Sequence, residues 1–270
     1  MSTTGRKIKR FFLIGILLYS LPLKAASIEL SYQGTHILTY ETMTLLAKAY
    51  YKKTGIKVNI LGGGCADGIS AISTGKATMG GLCCPMKPDE KNRFIAFPVA
   101  KDIKVVIVNP KNPINSLTAE QIRAIHKGRI DNWRQLGWIN KPIAVIYRKH
   151  CLDRDEPVRL YLRLDNKLKA LTKKAIIVRT DMDLIKYVSQ FKTAIGITSK
   201  VFTKGKKVKI LKINSIEPTA ENVRKGLYNF TGTLYIVVNP PIKKEIKRFI
   251  EFVRGPVGQS IIEINLARIR

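Results

Sequence analysis

The 270-residue chain has four cysteines and three histidines, and most of them stand beside glycine-rich or turn-forming segments. Cys65 follows Gly62, Gly63 and Gly64; Cys83 and Cys84 are adjacent; Cys151 follows His150; and His36 follows Gly34 and Thr35. Thiols and imidazoles so placed can pair as disulfides, hold a soft or borderline metal, or act as redox thiols. An even cysteine count suits disulfides in an oxidising compartment. Cys83 and Cys84 are poor partners for each other, because bonding neighbours forces a strained ring. No C-x-x-C pair is present. A metal reading for Cys65, Cys83, Cys84, Cys151, His36 and His150 therefore requires the fold to gather them. Asp153, Asp155 and Glu156, close after Cys151, would repel an oxyanion and favour a cation.

A second chemistry is anion binding. Gly62, Gly63 and Gly64 let backbone N–H groups approach a ligand closely, and a helix behind Asp67 would add the partial positive charge of its N-terminus. Arg148 can give bidentate, charge-assisted hydrogen bonds to a tetrahedral anion. Gly34, Thr35 and His36 offer further donors. His126 falls inside a helical stretch and is given no role.

Those residues need strands and helices to aim them. The pattern predicts a strand over 28–31, a turn at Gln33 and Gly34, a helix over 41–53, a strand over 56–61, a helix over 69–73 capped by Asp67, and a strand over 77–80. Strands over 94–99 and 103–108 follow, with prolines at 110 and 113 marking a candidate crossing. The same rhythm then repeats: a helix over 118–127, strand 143–147, helix 156–164 behind Asp155, strand 175–178, helix 181–191 and strand 194–198. Strands over 208–213 and 233–238 and a helix over 241–253 close the chain. Alternating strands and helices favour mostly parallel sheets covered on both faces. In such sheets, ligands bind at the turns after the carboxyl ends of strands, where Gly34, Gly62–Asp67, Leu82–Met86 and Arg148–Asp155 all fall.

The formal charge is +29. Arg6, Lys7, Lys9 and Arg10 precede an apolar run over 11–23, followed by Ala25, Ala26 and Ser27, the layout of a secretory signal peptide over residues 1–27. That run is too short to span a bilayer, so a soluble chain without stable membrane insertion is expected after cleavage. Export and the scattered distribution of lysines argue against nucleic acid as a partner. Nucleophile-elbow, zinc-protease and P-loop motifs are all missing, so no catalysis is expected.

Several segments resemble the phosphate-binding proteins of ABC transporters, within the type II periplasmic binding-protein superfamily. Gly75-Lys76-Ala77-Thr78-Met79-Gly80 is similar to that family's GKADIG segment, and Pro85-Met86-Lys87-Pro88-Asp89-Glu90 to its PLKPEE. The most specific match runs from Ser116-Leu117-Thr118-Ala119-Glu120-Gln121-Ile122 through Gly128 and Asn132-Trp133 to Leu136-Gly137. A last match spans Phe249 to Gln259.

The resemblance implies an α/β fold of two lobes, residues 28–107 with 234–270 and residues 108–233, joined by crossing strands. It further implies hinge closure on phosphate or a related small anionic solute, delivery to an ABC transporter permease, a periplasmic or otherwise extracytoplasmic location and no cofactor. Its ligand loops place Gly34, Thr35, His36, Gly62, Gly63, Gly64, Cys65, Asp67, Cys83, Cys84, Arg148, His150 and Cys151 at the cleft. The chain departs from the family there in one direction, from hydroxyl to thiol. A disulfide to Cys151 would then cross the cleft, and the metal reading becomes an alternative function on the same fold.

Overall fold

Strand β4 (Ile95–Val108) is the spine of the molecule. The computed structural model describes Met1 and residues 29–269; the expected signal peptide lies outside the described residues apart from Met1. In β4 every residue from Ile103 to Val108 is buried, so a run without alternation has both faces covered, as expected for a strand between two helical layers. Two separate strands were expected here. Asp102 is buried and paired within the strand, so its charge does not end the element.

The start of β4 pairs antiparallel with β11 (Thr231–Val238), and its end pairs antiparallel with β8 (Ala194–Ser199). The first half of the sheet continues from β11 to β3 (Met79–Leu82), β1 (Leu30–Thr35) and β2 (Val58–Gly63). The second half continues from β8 to β6 (Ala144–Arg148) and β7 (Ile176–Val178), with β9 (Lys209–Ile210) on the far side of β4. Strands β1, β2 and β3 run parallel, as do β6, β7 and β8. Short β5 (Ser116–Leu117) and β10 (Lys212–Ile213) form a separate parallel pair. The sheet is thus mixed: β1–β3 and β6–β8 form parallel sets, and β11 and β4 join them through antiparallel pairs.

Local chemistry explains most element boundaries. The helix Ala119–His126 begins where Thr118 accepts from the Gln121 N–H and Gln121 reaches back to the Thr118 N–H, a reciprocal cap. Glu156, rather than the expected Asp155, caps Pro157–Leu162 by accepting from Val158 and Arg159. The helix expected over 41–53 is interrupted: helical turns begin at His36, Glu41 has φ 61°, and the regular helix is Thr44–Thr54. The last helices are Lys244–Arg254, whose Ile246, Phe249, Ile250 and Val253 form one buried stripe, and Pro256–Ile262.

Glycine matters most where β1, β3 and the helix Cys65–Ser73 meet. A Cβ on Gly34 would lie 2.4 Å from the Gly81 nitrogen, and one on Gly68 would lie 2.9 Å from the same atom. Only glycines permit this approach, which presses the helix start onto the ends of β1 and β3.

Candidate functional site: the cleft between the two sheet halves

The loops after β1, β2, β6 and β7 converge. From the first half come Thr35, His36, Gly63, Gly64 and Asp67, and from the second Arg148, His150, Arg179, Thr180 and Asp181, around a cavity of about 710 Å³. Tyr40 and Phe202 face each other across its edge with ring centroids 5.5 Å apart.

The predicted residues divide by what they do. Thr35, His36, Gly63, Gly64, Asp67, Arg148 and His150 line the cavity. Gly34 pairs inside the sheet with Gly62 and Gly81, so it serves the close packing described above. Gly62 lies beneath His36, whose ring would be 3.0 Å from a Cβ there. The helix after the glycine run starts at Cys65, four residues earlier than expected, because Asp67 Oδ2 accepts the Gly64 N–H at 2.6 Å. One backbone donor that the glycine run offers to a ligand is therefore already engaged by a carboxylate.

Arg148, at the end of β6, forms an ion pair with Asp181, and Asp181 also accepts from Thr198 Oγ1 at 2.7 Å. This fixes the direction of the guanidinium while its fork keeps further donors. Arg179, Thr180 and Asp181 were not singled out from sequence. They follow β7 directly and start the helix Asp181–Gln190, so the strand-end rule that picked the other loops would have found them.

Behind the cavity, the four cysteines come together. Their Sγ atoms all lie within 4.8 Å of one another, with Cys65 to Cys83 at 3.4 Å and Cys83 to Cys84 at 3.9 Å. Cys65, Cys83 and Cys84 are buried, and Cys151 is half-buried. All four are free thiols, and the expected disulfide is not formed. His150 Nε2 lies 3.3 Å from Cys83 Sγ and 3.1 Å from Cys151 Sγ. His36 is not part of this cluster. Hydrogen bonds from Cys151, Cys65 and Cys84 hold the Cys83 thiol well below the ordinary range against the opposing effect of burial. Contacts with Cys151, Cys65 and Cys83 together with burial push Cys84 up, and contacts with Cys65 and Cys83 together with burial push Cys151 up against the opposing effect of Cys84.

Basic groups surround the sulfurs. Arg159, buried, donates to the His150 and Cys151 carbonyls at 3.1 and 3.0 Å and fixes the loop that carries them. Arg154 forms a two-armed ion pair with Glu90 from the first half, and its Nη1 also donates to the Pro85 carbonyl at 3.2 Å. Lys104, buried on β4, lies 2.7 Å from Asp102. Burial works against its charge, but Asp102 and Glu156 outweigh burial and raise its pKa. His126 sits below the cleft floor, fully buried, with Nδ1–H donating to the Ile122 carbonyl at 2.8 Å. Burial lowers its pKa to about 4, so the ring is neutral.

The profile of the PBP superfamily domain matches residues 38–256. The chain belongs to the PBP superfamily. A phosphate-binding protein PstS of Borreliella burgdorferi is 28% identical over 174 residues, which cover 61% of this chain and 62% of that protein. A phosphate ABC transporter substrate-binding protein from Clostridium perfringens, solved with bound phosphate, superposes with a TM-score of 0.76 at 25% identity, covering 90% of this chain and 100% of that one. An ABC-type phosphate transport receptor from Vibrio cholerae gives a TM-score of 0.71 at 25% identity over 89% of this chain and 100% of its own. The two-lobed α/β architecture is the PBP type II fold of these structures. Among the described residues, no helix is long and apolar enough to cross a membrane.

Proposed function

We propose that this protein is an extracytoplasmic solute-binding protein that closes its cleft on phosphate or a related tetrahedral oxyanion and passes it to an ABC transporter permease. The lobes are taken as residues 28–107 with 234–270 and residues 108–233. Its part is binding, with no bond made or broken. One observation carries the reading: the cavity between the halves is lined by strand-end loops from both, with two arginines, Arg148 and Arg179, among its lining residues together with Thr35 and the end of β2.

A tetrahedral anion seated there would touch both halves at once and so favour the closed state through its higher affinity for it. Arg148 supplies charge and direction, because Asp181 holds it in place. The strongly basic surface would raise the on-rate for anions. Asp67 and Asp181 oppose a fully ionised anion, so a protonated oxyanion such as monohydrogen phosphate, which can donate to a carboxylate, fits better than sulfate.

The test is isothermal titration of the mature protein with phosphate and with sulfate. Phosphate binding that far exceeds sulfate binding, and that weakens in Arg148→Ala, supports the proposal. Equal indifference to both anions sinks it.

A further inference from the structure

We propose that Cys65, Cys83, Cys84 and Cys151 form a tetrahedral thiolate site for a d¹⁰ cation of the zinc class, which clamps the two sheet halves together behind the anion cleft. The site goes beyond the anion reading: it uses other atoms and would take a ligand of opposite charge.

Geometry comes first. With metal–sulfur bonds of about 2.3 Å, a tetrahedron has sulfur–sulfur edges of about 3.8 Å. The observed separations of 3.4 and 3.9 Å, with every pair inside 4.8 Å, bracket that value. Ordinary apolar packing has no reason to gather all four cysteines of a chain, drawn from three separate loops, at one point. Sulfur ligands of this number select soft or borderline d¹⁰ ions over magnesium or calcium.

The surroundings suit thiolates. The Cys83 N–H donates to Cys65 Sγ at 3.2 Å. His150 reaches the sulfurs of both Cys83 and Cys151 and can donate to one of them. Buried Arg159, whose guanidinium donates to the neutral His150 and Cys151 carbonyls, brings positive charge to the loop that carries Cys151, whereas Arg154 and Lys104 are already paired with Glu90 and Asp102. The loop also accepts an unusual backbone to deliver the fourth ligand, since Cys151 has φ 42°, in the left-handed region.

The ligands divide three to one between the halves. Cys65, Cys83 and Cys84 belong to the loops after β2 and β3, whereas Cys151 follows β6. A bound cation would therefore add a bond across the cleft beside the Glu90–Arg154 pair, and opening would require losing a ligand.

The experiment uses the mature chain, reduced, stripped with chelator and free of phosphate. It is titrated with cobalt(II), whose visible and sulfur-to-metal absorption bands report tetrahedral thiolate ligation, and cobalt is then displaced with zinc. One cobalt per chain with four-thiolate bands, displaced by one zinc, is expected, with an increase of several degrees in the thermal midpoint. Cys151→Ser should weaken cobalt binding by at least about tenfold and change the bands. The wild-type spectrum decides the matter even if that variant folds poorly. Failure to bind cobalt while all four thiols react with a thiol reagent overturns the proposal, as does exported protein whose cysteines are paired in disulfides. Arg148→Ala, which removes an anion donor and no sulfur, should still bind cobalt, so failure of the anion reading and failure of this one are read separately.

Discussion

The cleft is spanned by two seams of opposite character. On the thiol side, Arg154 and Glu90 meet with side chains 3% and 6% exposed, and Lys87 reaches Asp153 at 2.5 Å nearby. On the cavity side, Lys204 meets Glu41 at 3.2 Å with side chains 71% and 43% exposed, beside the Tyr40–Phe202 contact. Two ion pairs of the same formal charge thus differ in what surrounds them. The first is desolvated and two-armed, so losing one partner strands a buried charge; the second is screened by water. The contrast separates the two: the dry seam ties the halves together through a buried pair, and the wet seam borders the cavity proposed to take the ligand.

The sharpest way to break this comparison is Glu90→Ala, which leaves Arg154 buried without its partner. A loss of about 3–5 kcal/mol in unfolding free energy is expected by urea denaturation. Wild-type stability would argue that the seam opens freely to water. Acid should act on the same pair. Burial raises the Glu90 carboxyl, but Arg154 and the Lys87 N–H outweigh it and lower its pKa. The pair's contribution is therefore present above the ordinary carboxylate range and is lost as pH falls below it.

His126 separates that effect from general acid sensitivity, because it lies off both seams. Its folded pKa is about 4 against an ordinary value of 6.5, so the unfolded chain takes up a proton that the folded chain refuses. About 3 kcal/mol of stability, complete at pH 7, should disappear between about pH 6.5 and 4. Denaturation curves at pH 7 and 4.5 would show it, and His126→Gln should remove that part of the slope.

On the wet side, Arg148→Ala should weaken phosphate binding by about 10- to 100-fold, the value of about one charge-assisted hydrogen bond, while changing stability less than Glu90→Ala does. Titration calorimetry and urea denaturation on the same variant give both numbers. The smallest effect belongs to Lys204→Ala, expected to cost less than about 1 kcal/mol and to fade further in high salt. A larger loss there would erase the distinction between the seams.

How much of this was legible without coordinates differs by element. Capping pairs such as Thr118 with Gln121 act over three residues and were readable as written. The joining of 94–99 with 103–108 into one strand was not, because Lys101 and Asp102 look like a turn until partners appear. Asp102 is in fact satisfied by Lys104 and by Ser199, 97 residues away. Among site residues, glycines and Arg148 announced themselves by type and by position after strands. Asp181 did not, because its importance lies in the arginine it restrains.

The turn expected at Gln33 and Gly34 lies inside β1, but local chemistry alone settled that thiols stand after three of the strands and that the chain builds an alternating α/β fold. Those are properties of neighbours in sequence, written in hydrophobic period and in the conformational freedom of glycine. Tertiary structure decided which donors are already engaged, as Gly64 is by Asp67, and which charges meet across the cleft. It also decided that Cys65, Cys83, Cys84 and Cys151 share one point, since only the antiparallel seam of β4 and β11 brings the loops after β3 and β6 face to face.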